Sequence, residues 1–195
     1  ATVLGSKGRI TWIWVLVILS CHLTARADTL IVGIGGYPTI QAAVDAVAAA
    51  ITPRTRGIVL INPNNPTGAV YSRDLLEAIA AVAEEHQLIV FADEIYDQML
   101  YEGAEHVPMA TLVEDTLCAT FSGLSKIYRA CGYRVGWVAF SGDREHAADY
   151  LHAVELLTSL RLCSNVPGQW AVQTALGGFQ SVEQLTAPGG RLYQS

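Results

Sequence analysis

Positive charge is scarce in this sequence. Twelve Lys and Arg stand against eighteen Asp and Glu, a formal net charge of −6, and charged residues make up only 15% of the 195. Such a chain does not coat nucleic acid or an anionic membrane by bulk electrostatics. Cysteine is scarce as well. Cys21, Cys118, Cys131 and Cys163 are widely spaced and form no C-x-x-C, which indicates neither a disulfide scaffold nor a zinc knuckle. Reduced, buried thiols are the expectation. The five histidines, His22, His86, His106, His146 and His152, show no H-E-x-x-H and no tight pair. No metal role is indicated, and solvated helix positions are expected for most of them. Long apolar runs are missing too. Ile10–Leu19 falls short of the ~20 residues that a spanning helix needs.

Apolar side chains are abundant, at 51%. There is ample material for a buried core, and a disordered or solvating chain is excluded. At roughly 150 residues per domain the length fits one domain with an appendage.

Three parts differ in texture. Residues 1–27 resemble a secretory leader: Lys7 and Arg9 precede the apolar run, and Ala25-Arg26-Ala27 supplies an A-x-A site before Asp28. Residues 28–50 read as a short strand (Thr29–Val32), a turn (Gly33–Pro38) and an alanine-rich helix (Ile40–Ala50). A dinucleotide-binding loop does not fit there, because Pro38 stands where G-x-G-x-x-G needs its third glycine. From residue 51 onward, strands and helices alternate.

Gly57–Ile61 is a continuous apolar run that ends in a Pro/Asn/Gly cluster, the pattern of a strand buried on both faces. Arg73–Gln87 repeats apolar residues at Leu75, Leu76, Ile79, Val82 and Ala83, the helical period, with Ser72 as its N-cap. Further strands are expected over Leu88–Ala92, Thr116–Phe121 and Tyr133–Phe140, and further helices over Asp143–Leu162 and Gly168–Gly177. This alternation predicts an α/β fold, a mainly parallel sheet with helices on both faces. Ligands of such sheets sit beyond the carboxyl ends of the strands, so the polar residues just after each strand are the candidates.

Asn65 lies in the stiff loop Asn62–Gly68, where two prolines fix φ and Gly68 permits a left-handed turn. Asp93 and Tyr96 follow the second strand, three apart, so one helical turn brings them to the same side. Ser122, Ser125 and Lys126 follow the third, and Arg134 stands where the fourth begins, between Gly132 and Gly136. Each alone has an ordinary explanation: a loop asparagine, a capping aspartate, a surface lysine, an ion-paired arginine. Together, at one edge of one sheet, they are the parts needed to hold pyridoxal 5'-phosphate (PLP). Lys126 would supply the amine that condenses with the aldehyde. Asp93 would face the pyridinium nitrogen and keep it protonated. Tyr96 and Asn65 would hydrogen-bond the ring's phenolic oxygen. Arg134 would make a forked contact with the phosphate, and Ser122 or Ser125 would add a hydroxyl.

The ordered set Asn64-Asn65-Pro66-Thr67-Gly68, Asp93-Glu94-Ile95-Tyr96, Ser125-Lys126 and Gly132-Tyr133-Arg134-Val135-Gly136-Trp137 resembles the large, PLP-binding domain of class I/II (fold type I) aminotransferases. The phrases Ile51–Gly57 and Leu160–Pro167 are similar to bacterial glutamate–pyruvate (alanine) aminotransferases. The resemblance implies that residues 51–195 are part of that domain. It implies Lys126 as the cofactor lysine, Asp93 as the pyridinium partner, Arg134 as a phosphate ligand and Asn65 as a residue that also touches substrate. It further implies transamination between an amino acid and a 2-oxo acid, a homodimer and a cytoplasmic location, the last at odds with the leader. Many relatives carry a serine three residues before the lysine, where this chain has Gly123. Family members are about twice as long, so the chain reads as a fragment, expected to bind PLP weakly and to transaminate poorly alone. Other fold type I PLP chemistry, such as a β-lyase, and a non-catalytic exported domain are the alternatives.

Overall fold

The computed structural model describes residues 39–179 and 181–194. The leader and the Thr29–Val32 strand and turn expected from sequence lie outside them. The elements are α1 (Ile40–Ala50), β1 (Gly57–Ile61), α2 (Arg73–Glu85), β2 (Ile89–Asp93), β3 (Leu117–Gly123), β4 (Gly136–Gly142), α3 (Ala148–Arg161), α4 (Val166–Gly177) and α5 (Val182–Thr186). One sheet runs in the order β1-β2-β3-β4. The first three strands are parallel and β4 is antiparallel to β3, with Gly123 opposite Gly136 and Leu117 opposite Gly142. The third and fourth strands therefore start later and end later than the apolar pattern suggests.

Helix α2 forms where its apolar period predicts. Ser72 caps it by accepting the Leu75 N–H at 3.4 Å, and Asp74 in the first turn faces the positive end of the helix dipole. Its buried stripe of Leu76, Ile79, Ala80, Val82 and Ala83 packs with Val44 and Val47 of α1 onto Ile58, Leu60, Val90, Ala92 and Cys118. The opposite face is covered by α3. There Val154, Tyr150 and Leu151 join Ala147, Leu117, Ala119, Val138, Phe140 and Phe91. The Tyr150 ring meets Phe91 edge-on, with centroids 5.9 Å apart.

Helices on both faces are thus borne out, with one difference. The continuous apolar run of β1 predicts burial on both sides, yet Val59 is 42% exposed. The cover provided by α3 reaches β2 through Ile89 and Phe91 and stops there. Gly142 closes β4 with φ +74°, and a Cβ there would lie 2.1 Å from the Thr116 carbonyl oxygen, so glycine is required on both counts.

The thiols differ from expectation as well. Cys118 is buried as predicted, but Cys131 and Cys163 are exposed: Cys131 opens a single 3-10 turn (Cys131–Tyr133) with no buried residue, and Cys163 follows α3 into the loop before α4. Burial pushes the Cys118 thiol up to about 11. Iodoacetamide at pH 8 should therefore modify Cys131 and Cys163 in the folded chain and leave Cys118 intact until denaturant is added, as peptide mass mapping would show. Leu76→Ala should cost about 2–5 kcal/mol in chemical denaturation, whereas Val59→Ala should cost under about 1 kcal/mol, since its side chain already meets water. Equal losses would contradict the uneven cover of the sheet.

Candidate functional site

The sheet brings its loops to one edge through backbone bonds that continue past the strands. The Asn62 N–H donates to the Asp93 carbonyl at 3.0 Å, the Glu94 N–H to Phe121 at 3.0 Å, and the Leu124 N–H to Val135 at 3.0 Å. The loops bearing Asn65, Tyr96, Lys126 and Arg134 therefore leave the sheet side by side, from strands about 4.8 Å apart. Because β4 is antiparallel, its beginning lies at the edge where the other three strands end. That is why Arg134 shares an edge with Lys126.

Within this edge, the Lys126 Nζ stands 5.6 Å from the centre of the Tyr96 ring, inside cation–π range. Lys126 is exposed and Ser125 half-buried. Asp93 ends β2, and its Oδ1 accepts the Ile95 N–H at 3.2 Å, which starts the turn that carries Tyr96. The expected helical turn between Asp93 and Tyr96 is a tight turn, with the Asp97 N–H on the Glu94 carbonyl. Asn65 is exposed on its loop. The loop is held by Asn64, whose Oδ1 accepts the Thr67 hydroxyl at 2.7 Å and whose carbonyl accepts the Gly68 N–H at 2.8 Å. Arg134 is exposed in a left-handed conformation, φ +52°, with Nη1 donating to the Cys131 carbonyl at 2.8 Å.

Ser122 is placed differently from its neighbours. Asp93 pairs with Phe121, so these two share the α3 face, and alternation sends Ser122 to the α2 face. Ser122 is therefore not brought beside Asp93. Nor does position 123 have room for a serine: a Cβ on Gly123 would lie 2.9 Å from the Val135 carbonyl oxygen and 3.0 Å from the Gly136 Cα. Of the two glycines that flank Arg134, Gly136 permits a close backbone approach, its absent Cβ falling 3.0 Å from the Ser122 carbonyl oxygen, whereas Gly132 faces open space.

Behind the edge lies a polar cluster that the sequence reading missed. Glu94 is 6% exposed and accepts the Met109 N–H on Oε1 at 2.8 Å and His106 Nε2 on Oε2 at 3.3 Å. The His106 side chain is itself 7% exposed and sits in a loop, so it is not one of the solvated helix histidines. Its Nδ1 faces Asn62 Nδ2 at 3.5 Å, and Asn62 Oδ1 accepts the Tyr71 N–H at 3.0 Å. Burial pushes the nearby Asp97 carboxyl above its ordinary value; His106 opposes the rise and Glu94 adds to it. A signal was available: in Asp93-Glu94 the strand period turns one of two adjacent carboxylates into the core, where it needs a partner. A separate cleft of about 440 Å³ opens between the 124–133 segment and helices α4 and α5, lined by Leu124, Tyr128, Tyr133, Ala171 and Val182. It contains none of Asn65, Asp93, Tyr96 or Lys126.

The comparisons with known proteins agree on one family. The family profile "Aminotransferase class I and II" matches residues 31–191, beginning within the 28–50 segment. The chain is 58% identical over 150 residues to the glutamate-pyruvate aminotransferase AlaA of Escherichia coli, covering 77% of this chain and 37% of that protein. It is 54% identical over 144 residues to an alanine aminotransferase of Mycobacterium bovis, covering 74% and 34%. Among solved structures, an Escherichia coli aminotransferase superposes with a TM-score of 0.75 at 58% identity, covering 77% of this chain and 37% of that one. An alanine aminotransferase from Pyrococcus furiosus gives a TM-score of 0.68 at 40% identity, covering 71% and 35%. The chain spans little more than a third of the length of these relatives. With the family profile, the sequence and the fold all matching, the chain belongs to the class I and II aminotransferases.

Proposed function

We propose that this chain carries the cofactor-lysine edge of a PLP-dependent transaminase that exchanges alanine and pyruvate with glutamate and 2-oxoglutarate. The observation that carries the reading is the approach of Lys126 to Tyr96, which stands three residues past the carboxylate that ends β2. The donor set suits the cofactor: a solvent-reachable amine, a carboxylate, a phenol and a guanidinium at one edge. When bound, PLP supplies an electron sink for the bond broken at the substrate α-carbon. Lys126 Nζ would hold the aldehyde carbon and, once released, carry the proton taken from the substrate α-carbon. The Asp93 carboxylate would keep a proton on the ring nitrogen, and Tyr96 and Asn65 would hydrogen-bond the ring oxygen. Arg134 would exchange its bond to the Cys131 carbonyl for a forked contact with the phosphate. Ser125, next to the lysine, is placed to add a hydroxyl; Ser122 would have to reach round from the other face.

The substrate pair rests on the names of the relatives at 58% and 54% identity. The same reading takes residues 51–195 as part of the PLP-binding domain of a cytoplasmic homodimer. The exposed apolar residues Leu156, Leu160, Leu162, Val166 and Trp170 on and between α3 and α4, with Phe179 just past the end of α4, support a surface that is covered in the assembled protein. Among the described residues, no helix is long and apolar enough to cross a membrane.

Incubation with PLP, borohydride reduction and peptide mapping should place the pyridoxyl mass on Lys126, and Lys126→Ala should take up none. Equal labelling of that variant, or an unlabelled Lys126 in the unaltered chain, would refute the assignment. Asp93→Asn keeps the shape and removes the charge, and it should weaken PLP binding about tenfold or more at pH 7, read by absorbance titration.

A further inference from the structure

The buried cluster behind the candidate site has a direction, and the direction can be read from its donors. The Tyr71 backbone N–H can only donate, so Asn62 Oδ1 is the oxygen of that amide and Nδ2 is the end turned to His106. Nδ2 can only donate as well, so His106 Nδ1 accepts. The ring's one proton is then on Nε2, pointed at the Glu94 carboxylate, whose other oxygen holds the Met109 N–H. Each member fixes the polarity of the next. The chain runs from Tyr71, through Asn62 and His106, to Glu94. The Asn62–His106 step, at 3.5 Å, is its longest link.

This chain of bonds joins two segments that matter to the site. Asn62 opens the loop that carries Asn65, and Glu94 follows Asp93 and opens the turn that carries Tyr96. Asn62, at 1% exposed, and Glu94, at 6%, lie where an unmatched donor or acceptor has no water to turn to. We infer that Asn62, His106 and Glu94 form a one-way hydrogen-bond relay whose members are positioning residues: they set the Asn65 loop against the Asp93–Tyr96 turn. The inference rests on the cofactor reading for what is being positioned, but the relay itself is a property of the chain without cofactor. Among the described residues, Asp97 also faces it and interacts with both His106 and Glu94.

The polarity makes a specific reversal possible. In Glu94→Gln the amide keeps an oxygen for Met109 and turns an NH₂ toward His106, which then faces donors on both nitrogens while itself carrying one proton. Adding Asn62→Asp restores every pairing: the two links to His106 run in the opposite sense, while the Tyr71 and Met109 N–H groups still donate. The carboxylate introduced at position 62 accepts from Tyr71 and from His106 Nδ1, and His106 Nε2 accepts from the amide introduced at position 94. Shape and total charge are those of the starting chain.

The test uses the 195-residue chain with three readouts. Nitrogen NMR of the unaltered chain should show His106 protonated on Nε2; protonation on Nδ1 alone would overturn the relay. Amide hydrogen exchange at Tyr71, at the far end of the relay from position 94, should speed up in E94Q by about tenfold and return in N62D/E94Q. PLP affinity should follow the same order, with E94Q about tenfold weaker and the double variant recovered. Exchange at Tyr71 unmoved by E94Q, or unrecovered in the double variant, overturns the proposal. Should E94Q not fold, recovery of a folded chain in N62D/E94Q supports the relay and its absence counts against it. Should the unaltered chain fail to load PLP on Lys126, the cofactor reading falls, while the exchange and tautomer results still decide the relay.

Discussion

Three backbone hydrogen bonds, from Asn62 to Asp93, from Glu94 to Phe121 and from Leu124 to Val135, extend the ladder of the sheet beyond its strands. Without them each loop would leave its strand at its own angle, and residues far apart in sequence would have no fixed relation. With them, the first residues of three loops are held by the same geometry that holds the sheet. The side chains that would do chemistry therefore sit on a frame whose stability comes from Leu60, Leu76, Ile79, Val90 and their neighbours in the core. Tyr96 and Lys126 meet because β2 and β3 are adjacent and parallel.

Much of this arrangement was legible in the sequence. The apolar runs located the first two strands within a residue or two, and the apolar period of residues 73–87 located α2 and its serine cap. The α-helix beginning at Ile40 was equally plain. The position of Arg134 carried a signal about strand direction too. A residue at the start of a strand can share an edge with residues at the ends of parallel strands only if its own strand runs the other way, and β4 does.

Other features could not be read from a single line of residues. The limits of β3 and β4 depend on how far two strands pair, and glycines at 123, 136 and 142 extend that pairing past the apolar run. The half-bare face of β1 depends on where α3 lands, which no local pattern states. His106 was unreadable for a similar reason. Its partners are 44 and 12 residues away, and only the fold brings Asn62 and Glu94 to its two nitrogens. The exposure of Cys131 and Cys163 follows from loop paths in the same way.

The close approach at Gly123 limits how this edge can vary. A side chain there would strike the main chain of residue 135, and backbone cannot step aside as a flexible side chain can. A serine at this point is thus barred unless the neighbouring strand shifts. Any side chain at 123 requires β3 and β4 to part locally, so the two strands constrain each other's variation at this edge.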